Sequence, residues 1–155
     1  LAGRIGLDTT VKELEIEERP ATLVEKAGLG LPAEAEAPVL SVTRVISIGE
    51  TPVADLRDVV PLTYLTQADL GSQFRGSVLE LLLQRGEPLL SASRTQIMAE
   101  SADAKFARRL NVPRGAALLR LVAQLYSYDE KVVDFSVSYF VPGHFQFHVM
   151  RKVQG

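Results

Sequence analysis

The chain has 155 residues, enough for one domain with a full hydrophobic core and too few for two domains of ordinary size. A formal net charge of −2 argues against a nucleic-acid surface, which needs an excess of Lys and Arg on one face. No cysteine is present, and no apolar run is long enough to cross a bilayer, so we expect a cytoplasmic protein without disulfides. The first residue is Leu1 rather than Met, which suggests a piece of a longer protein.

The first half of the chain predicts a strand, a short helix and a β-hairpin. Residues 1–10 show little periodicity and are expected to form a linker, so the predicted domain covers residues 11–155. Alternating apolar residues predict strands, Gly28 and Gly30 end the helix, and Gly49-Glu50 forms the hairpin turn. The predicted elements are a strand at Val11–Glu18, a helix at Ala21–Ala27 and hairpin strands at Val39–Ile48 and Thr51–Val60.

The second half predicts further helices and strands. Ser77, with Glu80 three residues later, has the spacing of a capping box that opens a Leu-rich helix. The remaining predicted elements are a short helix within 61–70, the Leu-rich helix Val78–Gln84, a strand Leu89–Ala99, a helix Ala102–Leu110 capped by Ser101, and a hairpin between Leu118 and Phe140. A last strand at Phe145–Val153 is expected either as a seventh strand or as the continuation of its neighbour past Pro142-Gly143.

The two halves of the sequence show a weak internal repeat. A shift of eighty positions lays Val39–Pro61 on Leu119–Val141, with the turn and most apolar positions in agreement. Each half then has the order strand, helix, strand, strand. Hairpin connections build antiparallel pairs, so the sequence predicts an internally duplicated α+β domain with a six-stranded antiparallel sheet and helices packed on it.

Arg44 is the first candidate for a binding residue. Its strand neighbours on the same face are aliphatic, and burying an unpaired guanidinium among them would destabilise the fold by roughly several kcal/mol. We therefore expect an anionic group to pair with Arg44. The residues alone leave two interpretations open: an internal carboxylate (Asp55, Asp58 or Asp134), or the carboxylate or phosphate of a ligand.

The other candidates have competing structural roles. Asp134 shares a face with Ser136, and this polar face could be a solvated outer surface of the sheet. Arg57 could bind a ligand or pair with Asp55 at the surface. Ser77 could contact an anion at a helix start while also capping that helix.

The sequence carries no recognised catalytic or metal-binding motif. It has no Gly-rich phosphate loop, Gly-x-Ser-x-Gly or His-Glu-x-x-His pattern. His144 and His148 share a face near the end of the chain without a third ligand at zinc spacing, so we expect surface residues. We predict no metal, no cofactor and no catalytic residue.

Several loose motifs, in a specific order, together resemble the UTRA domain, the effector-binding domain of the HutC-like branch of GntR transcriptional regulators. The resemblance covers nearly the whole chain from about Val11 onward. The motifs are Leu29-x-x-Pro32, a strand with Arg44, Pro52-Val53, Gly76-Ser77, Leu110-x-Val112-Pro113-x-Gly115, Val132-Val133-Asp134-x-Ser136 and the aromatic run from Phe140 to Phe147.

The resemblance implies a chorismate lyase-like fold and a bacterial regulator, expected here to be a repressor. Such a regulator is a homodimer that binds operator DNA through an N-terminal winged-helix domain absent from this chain. It also implies a small-molecule pocket in which Arg44 meets an anion and Ser77 and Asp134 contact the ligand. Phe140 stands where the family has a tyrosine, and the Arg and Asp that follow are missing, which favours a carboxylate over a sugar phosphate.

Two other functions are compatible with the sequence. One is an enzyme of the chorismate lyase kind, with Arg44 holding a carboxylate and Asp134 assisting elimination. The other is a dimerisation platform in which the final strand pairs with a second copy of the chain.

Overall fold

The structure, a computed structural model, describes residues 8–72 and 74–153. In these residues the chain forms six strands and four helices in the predicted order. The strands are β1 (Thr9–Pro20), β2 (Pro38–Ile48), β3 (Thr51–Pro61), β4 (Leu90–Ser101), β5 (Ala117–Ser127) and β6 (Val132–Phe140), and the helices are α1 (Leu23–Gly28), α2 (Gln67–Leu70), α3 (Val78–Arg85) and α4 (Ala104–Leu110).

The strands form one antiparallel sheet in the order β1-β2-β3-β6-β5-β4. The predicted six-stranded α+β fold is confirmed. Each half contributes a strand, a helix and a hairpin, and the halves meet where β3 pairs with β6 at the centre of the sheet. Internal duplication stays a prediction, although the arrangement of elements matches it.

The two faces of the sheet have different coverings. On the first, called here the Arg44 face, side chains from α2, α3 and the preceding loop pack on Leu40, Val42 and Val60. This face includes Asp58, because Val42 pairs with Asp58 and partners across strands point the same way. On the opposite face, called the Arg57 face, Gly28 of α1 packs against Phe135, and Phe106 and Leu110 of α4 pack near Tyr139.

Several predicted boundaries differ from the structure. Thr9 and Thr10 already belong to β1, while residues 1–7 of the predicted linker lie outside the described residues. Helix α4 begins two residues later than predicted because Asp103, and not Ser101, caps it: the Asp103 carboxylate accepts from the Phe106 amide at 2.9 Å.

The predicted last strand is wrong. Phe145–Val153 contains no strand; instead the rings of Phe145 and Phe147 pack edge-on against Phe140, with centroids 4.9 and 5.3 Å away. Burial of these rings outweighs strand pairing for this segment. The edges of the sheet are therefore β1 and β4, so the proposed pairing of two chains through Phe145–Val153 loses its strand.

Gly28 tests the packing of α1 on the sheet. A Cβ atom at this position would lie 2.5 Å from the Phe135 ring. We expect Gly28→Ala to lower the free energy of unfolding by about 1–3 kcal/mol, the usual cost of overpacking, in urea denaturation. The same change in a Phe135→Leu background should cost clearly less; an equal cost in both backgrounds would show that the ring is not the obstacle.

Candidate functional site

Arg44 lies at the centre of a buried polar cluster on the Arg44 face. It is only 3% exposed, and its Nη1 donates to Oδ2 of Asp58 at 2.5 Å and to the carbonyl of Val42 at 3.4 Å. Of the interpretations left open by the sequence, the internal carboxylate is present, and it is Asp58. The buried Nε of Arg44 nevertheless has no hydrogen-bond partner.

Asp134 adds a second carboxyl group to the same cluster. Burial raises the pKa of Asp134 well above its usual range, the charge of Asp58 and a hydrogen bond with it act in the same direction, and Arg44 opposes them. The protonated form is thereby favoured next to an ionised Asp58. The Oδ1 atom of Asp134 is buried without a partner. The alternative of a solvated outer face is therefore wrong for Asp134.

The predicted residues Ser136 and Phe140 lie on the same face as this cluster. Ser136 pairs with Asp58 across β3 and β6, and Phe140 is buried under the C-terminal aromatic rings. Ser136 and Ser138 are half-buried, as is Ala123 opposite Ser136 on β5. Half-buried serines therefore flank the buried cluster on this face.

Ser77 lies above the same face of the sheet. The preceding residue, Gly76, has a φ of +94°, and a Cβ there would lie 2.7 Å from a methyl group of Val11 and 3.7 Å from Ile46. This close approach requires glycine and holds the start of α3 against β1 and β2. Ser77 is half-buried, and its Oγ accepts from the Glu80 amide at 3.1 Å, as the predicted cap requires.

Arg57 lies on the opposite face, apart from the other predicted site residues. Its Nε donates to Asp55 at 2.8 Å and its guanidinium stacks over the Phe106 ring at 5.1 Å. Asp55 is fully buried and also accepts from Nε of Arg109 at 2.5 Å. These contacts fasten α4 to β3, because one carboxylate pairs with arginines of both elements.

Sequence reasoning missed two of these roles. The sequence identifies Asp58 only as one of three possible partners of Arg44. Its position in an otherwise apolar row of β3 indicates that it is buried. The pairing of Arg109 with Asp55 could not be predicted, because Arg108 is its neighbour in the same helix and the sequence does not indicate which of the two faces the sheet.

Three cavities of about 510, 660 and 170 Å³ lie elsewhere, and none is lined by Arg44, Asp58 or Asp134. The 660 Å³ cavity lies at the end of the sheet where β3 ends and β6 begins. Within residues 8–72 and 74–153, no group of three or more His, Cys, Asp and Glu side chains could hold a metal ion. In the same residues no helix is long and apolar enough to cross a membrane.

The raised pKa of Asp134 predicts how stability changes with pH. Above about pH 4, the ordinary value for Asp, the unfolded chain loses this proton while the folded chain keeps it. The folded state then binds more protons, so the free energy of unfolding falls as pH rises toward the folded pKa. We expect Asp134→Asn to remove this fall and to be more stable than the parent at neutral pH, measured by urea denaturation across pH.

The control is Asp8→Asn, which removes an exposed carboxylate near the start of the described chain. This variant should keep the pH dependence of the parent. Parallel pH profiles for Asp134→Asn and the parent would mean that folding does not raise the pKa of Asp134.

Known proteins match this chain in sequence family and in fold. The family model of the UTRA domain matches residues 4–146. Comparison with curated protein sequences gives no match.

Solved structures with the same fold include proteins described as bacterial transcriptional regulators. PhnF from Mycobacterium smegmatis superposes with a TM-score of 0.84 at 18% identity, covering 99% of this chain and 67% of that one. A Bordetella bronchiseptica structure described as the ligand-binding domain of a GntR-family regulator gives 0.80 at 18%, covering 94% and 90%.

The possible regulator YydK from Bacillus subtilis also gives a TM-score of 0.80, at 16% identity. The alignment covers 95% of this chain but only 63% of YydK, so this chain spans less than two thirds of that relative. At these identities the structures establish the fold, and the family match extends over most of the sequence. The chain belongs to the UTRA domain family.

Proposed function

We propose that this domain binds a small-molecule effector on the Arg44 face and thereby controls a transcriptional regulator of the GntR family, HutC-like branch. One observation carries the proposal: the buried Nε of Arg44 and Oδ1 of Asp134 both lack partners in one cluster. Buried polar groups are almost always hydrogen-bonded, so a donor and an acceptor that are both unmet within one cluster require an explanation, and a bound ligand supplies one. YydK and the Bordetella bronchiseptica protein, which share the fold, are described as transcriptional regulators.

The effector in this proposal carries an anionic group that accepts from Arg44. Asp58 occupies Nη1 only, so the guanidinium retains donors for a second anion. Ser77 and Ser136 supply hydroxyl groups beside the cluster, and Phe140 supplies an apolar wall. Phe140 carries no hydroxyl, which favours a carboxylate over a heavily hydroxylated sugar phosphate. Arg57 has no part in this site.

Control of transcription requires that the effector bind one arrangement of the regulator more tightly than another. In the proposal the regulator is a cytoplasmic repressor that contacts operator DNA through an N-terminal winged-helix domain. With a net charge of −2, the present chain itself is poorly suited to DNA.

Effector binding can be tested with a matched pair of arginine variants. Native mass spectrometry of freshly purified protein identifies a retained ligand, and isothermal titration with small acids and phosphates measures affinity. We expect Arg44→Gln to weaken binding at least about 30-fold, because a charged partner of the anion is lost. Arg57→Gln removes an equally well-ordered arginine from the opposite face and should leave affinity unchanged.

Ser136→Ala should weaken binding about fivefold, the effect of one neutral hydrogen bond. Circular dichroism must show that each variant is folded. The proposal fails if no acid or phosphate binds the folded parent, or if Arg57→Gln and Arg44→Gln weaken binding equally.

We also propose that the regulator is a homodimer with β4 in the interface. This strand forms one edge of the sheet, and most of its residues are exposed, with Ile97 52% exposed. An unpaired edge with an exposed apolar side chain is suited to association with a second copy. Sedimentation should give a dimer for the parent and a shift to monomer for Ile97→Lys. A parent that stays monomeric at high concentration would exclude this interface for the isolated domain.

A further inference from the structure

The charges on the Arg44 face do not favour an effector that is only an anion. One guanidinium, Arg44, faces two carboxyl groups, Asp58 and Asp134, and Asp58 already compensates it at 2.5 Å. From above, α2 and α3 contribute the apolar side chains of Leu70, Val78 and Leu82. A simple anion would add a second negative charge next to Asp58 where water is largely excluded, and like charges repel strongly there.

The unmet hydrogen-bonding groups of the cluster are of two kinds. Nε of Arg44 is a donor and needs an acceptor, whereas Oδ1 of Asp134 accepts hydrogen bonds when the carboxyl group is ionised. The two side chains are 3% and 6% exposed, so water reaches them poorly. A ligand with an acceptor at one end and a charged donor at the other satisfies both atoms at once.

We propose that the effector is a zwitterion: its acid group binds Arg44, and a protonated nitrogen binds between Asp58 and Asp134. This inference rests on the proposed function and specifies its ligand class. Arg44 is on β2 and Asp134 on β6, the two neighbours of β3, so their strands are about 10 Å apart at the usual spacing, and Asp58 lies on the strand between them. The ligand class that this arrangement specifies is a small amino carboxylate, in which a few bonds separate nitrogen and acid.

The neighbourhood of Asp134 makes proton release a signature of this binding mode. The charged groups that act on Asp134 are Asp58 on β3 and Arg44 on β2, and the helices above are apolar where they pack. A bound ammonium group compensates both carboxylates, so Asp134 gives up its proton. A simple anion, in contrast, takes Arg44 from Asp58 and makes the carboxyl pair take up a proton.

The test uses sets of probes with the same carbon skeleton. Each set contains a carboxylic acid, the matching amine and the matching amino acids: butanoate, butylamine, 2-aminobutanoate and 4-aminobutanoate, with the corresponding sets from two to eight carbons. Isothermal titration at probe concentrations up to about 10 mM detects dissociation constants in the millimolar range. Repetition in buffers of different ionisation enthalpy counts the protons released or taken up.

We expect amino acids of at least one skeleton to bind more than about 10-fold tighter than the matching acid and amine, with proton release at a pH where Asp134 of the free protein is protonated. Asp134→Asn should reduce this preference and abolish proton release. Arg57→Gln, on the opposite face, should preserve both the preference and the proton release.

The possible failures are distinguishable. If acids or phosphates bind and no amino acid binds better, the zwitterion is excluded and the proposed effector site stands. Uptake of protons on binding of the tightest-binding probe also excludes the zwitterion. If no probe of any class binds, both proposals fail together.

Discussion

The pairing of Arg44 with Asp58 is the interaction on which the rest of the Arg44 face depends. A guanidinium that is 3% exposed cannot remain without a counter-charge, and the carboxylate that supplies it comes from the neighbouring strand. This choice affects the next residue. Burial raises the pKa of Asp134 and so favours its protonated form, and the neighbouring charge of Asp58 acts in the same direction. A residue of the first hairpin thus contributes to the protonation of a side chain from the other half of the chain.

The sheet separates structural from ligand-binding roles by face. On the Arg57 face, the carboxylate of Asp55 is shared by Arg57 and Arg109, and both of its oxygens are paired. These contacts attach α4 to β3, although Nη2 of Arg109 is itself buried without a partner. On the Arg44 face, two buried atoms remain unpaired next to half-buried serines. The physical basis for placing the site on this face is that an unpaired donor and an unpaired acceptor belong to one cluster.

Much of the fold could be predicted from the sequence because its patterns are local. Alternating apolar residues located all six strands of the sheet within a few residues, and Ser77 marked the start of α3 correctly. The site was harder. Arg44 was recognisable because its own strand is apolar, but the same test placed Asp134 at a solvated surface, since its neighbours are serines. The burial of Asp134 depends on strands from the first half of the chain, which no local pattern contains.

The error at Phe145–Val153 has a similar origin. Alternating aromatic residues satisfy the pattern of a strand. The pattern does not show whether the sheet has an unpaired edge strand beside the segment with which it could pair. In the fold, the rings pack on Phe140 instead.

The spacing of two acids along β3 has a mechanical consequence. Asp55 and Asp58 are three residues apart, so one extended segment carries ion-paired carboxylates on both of its surfaces. Any displacement of this segment along its own axis would therefore change the ion pairs of Asp58 and Asp55 together, one on each face of the sheet.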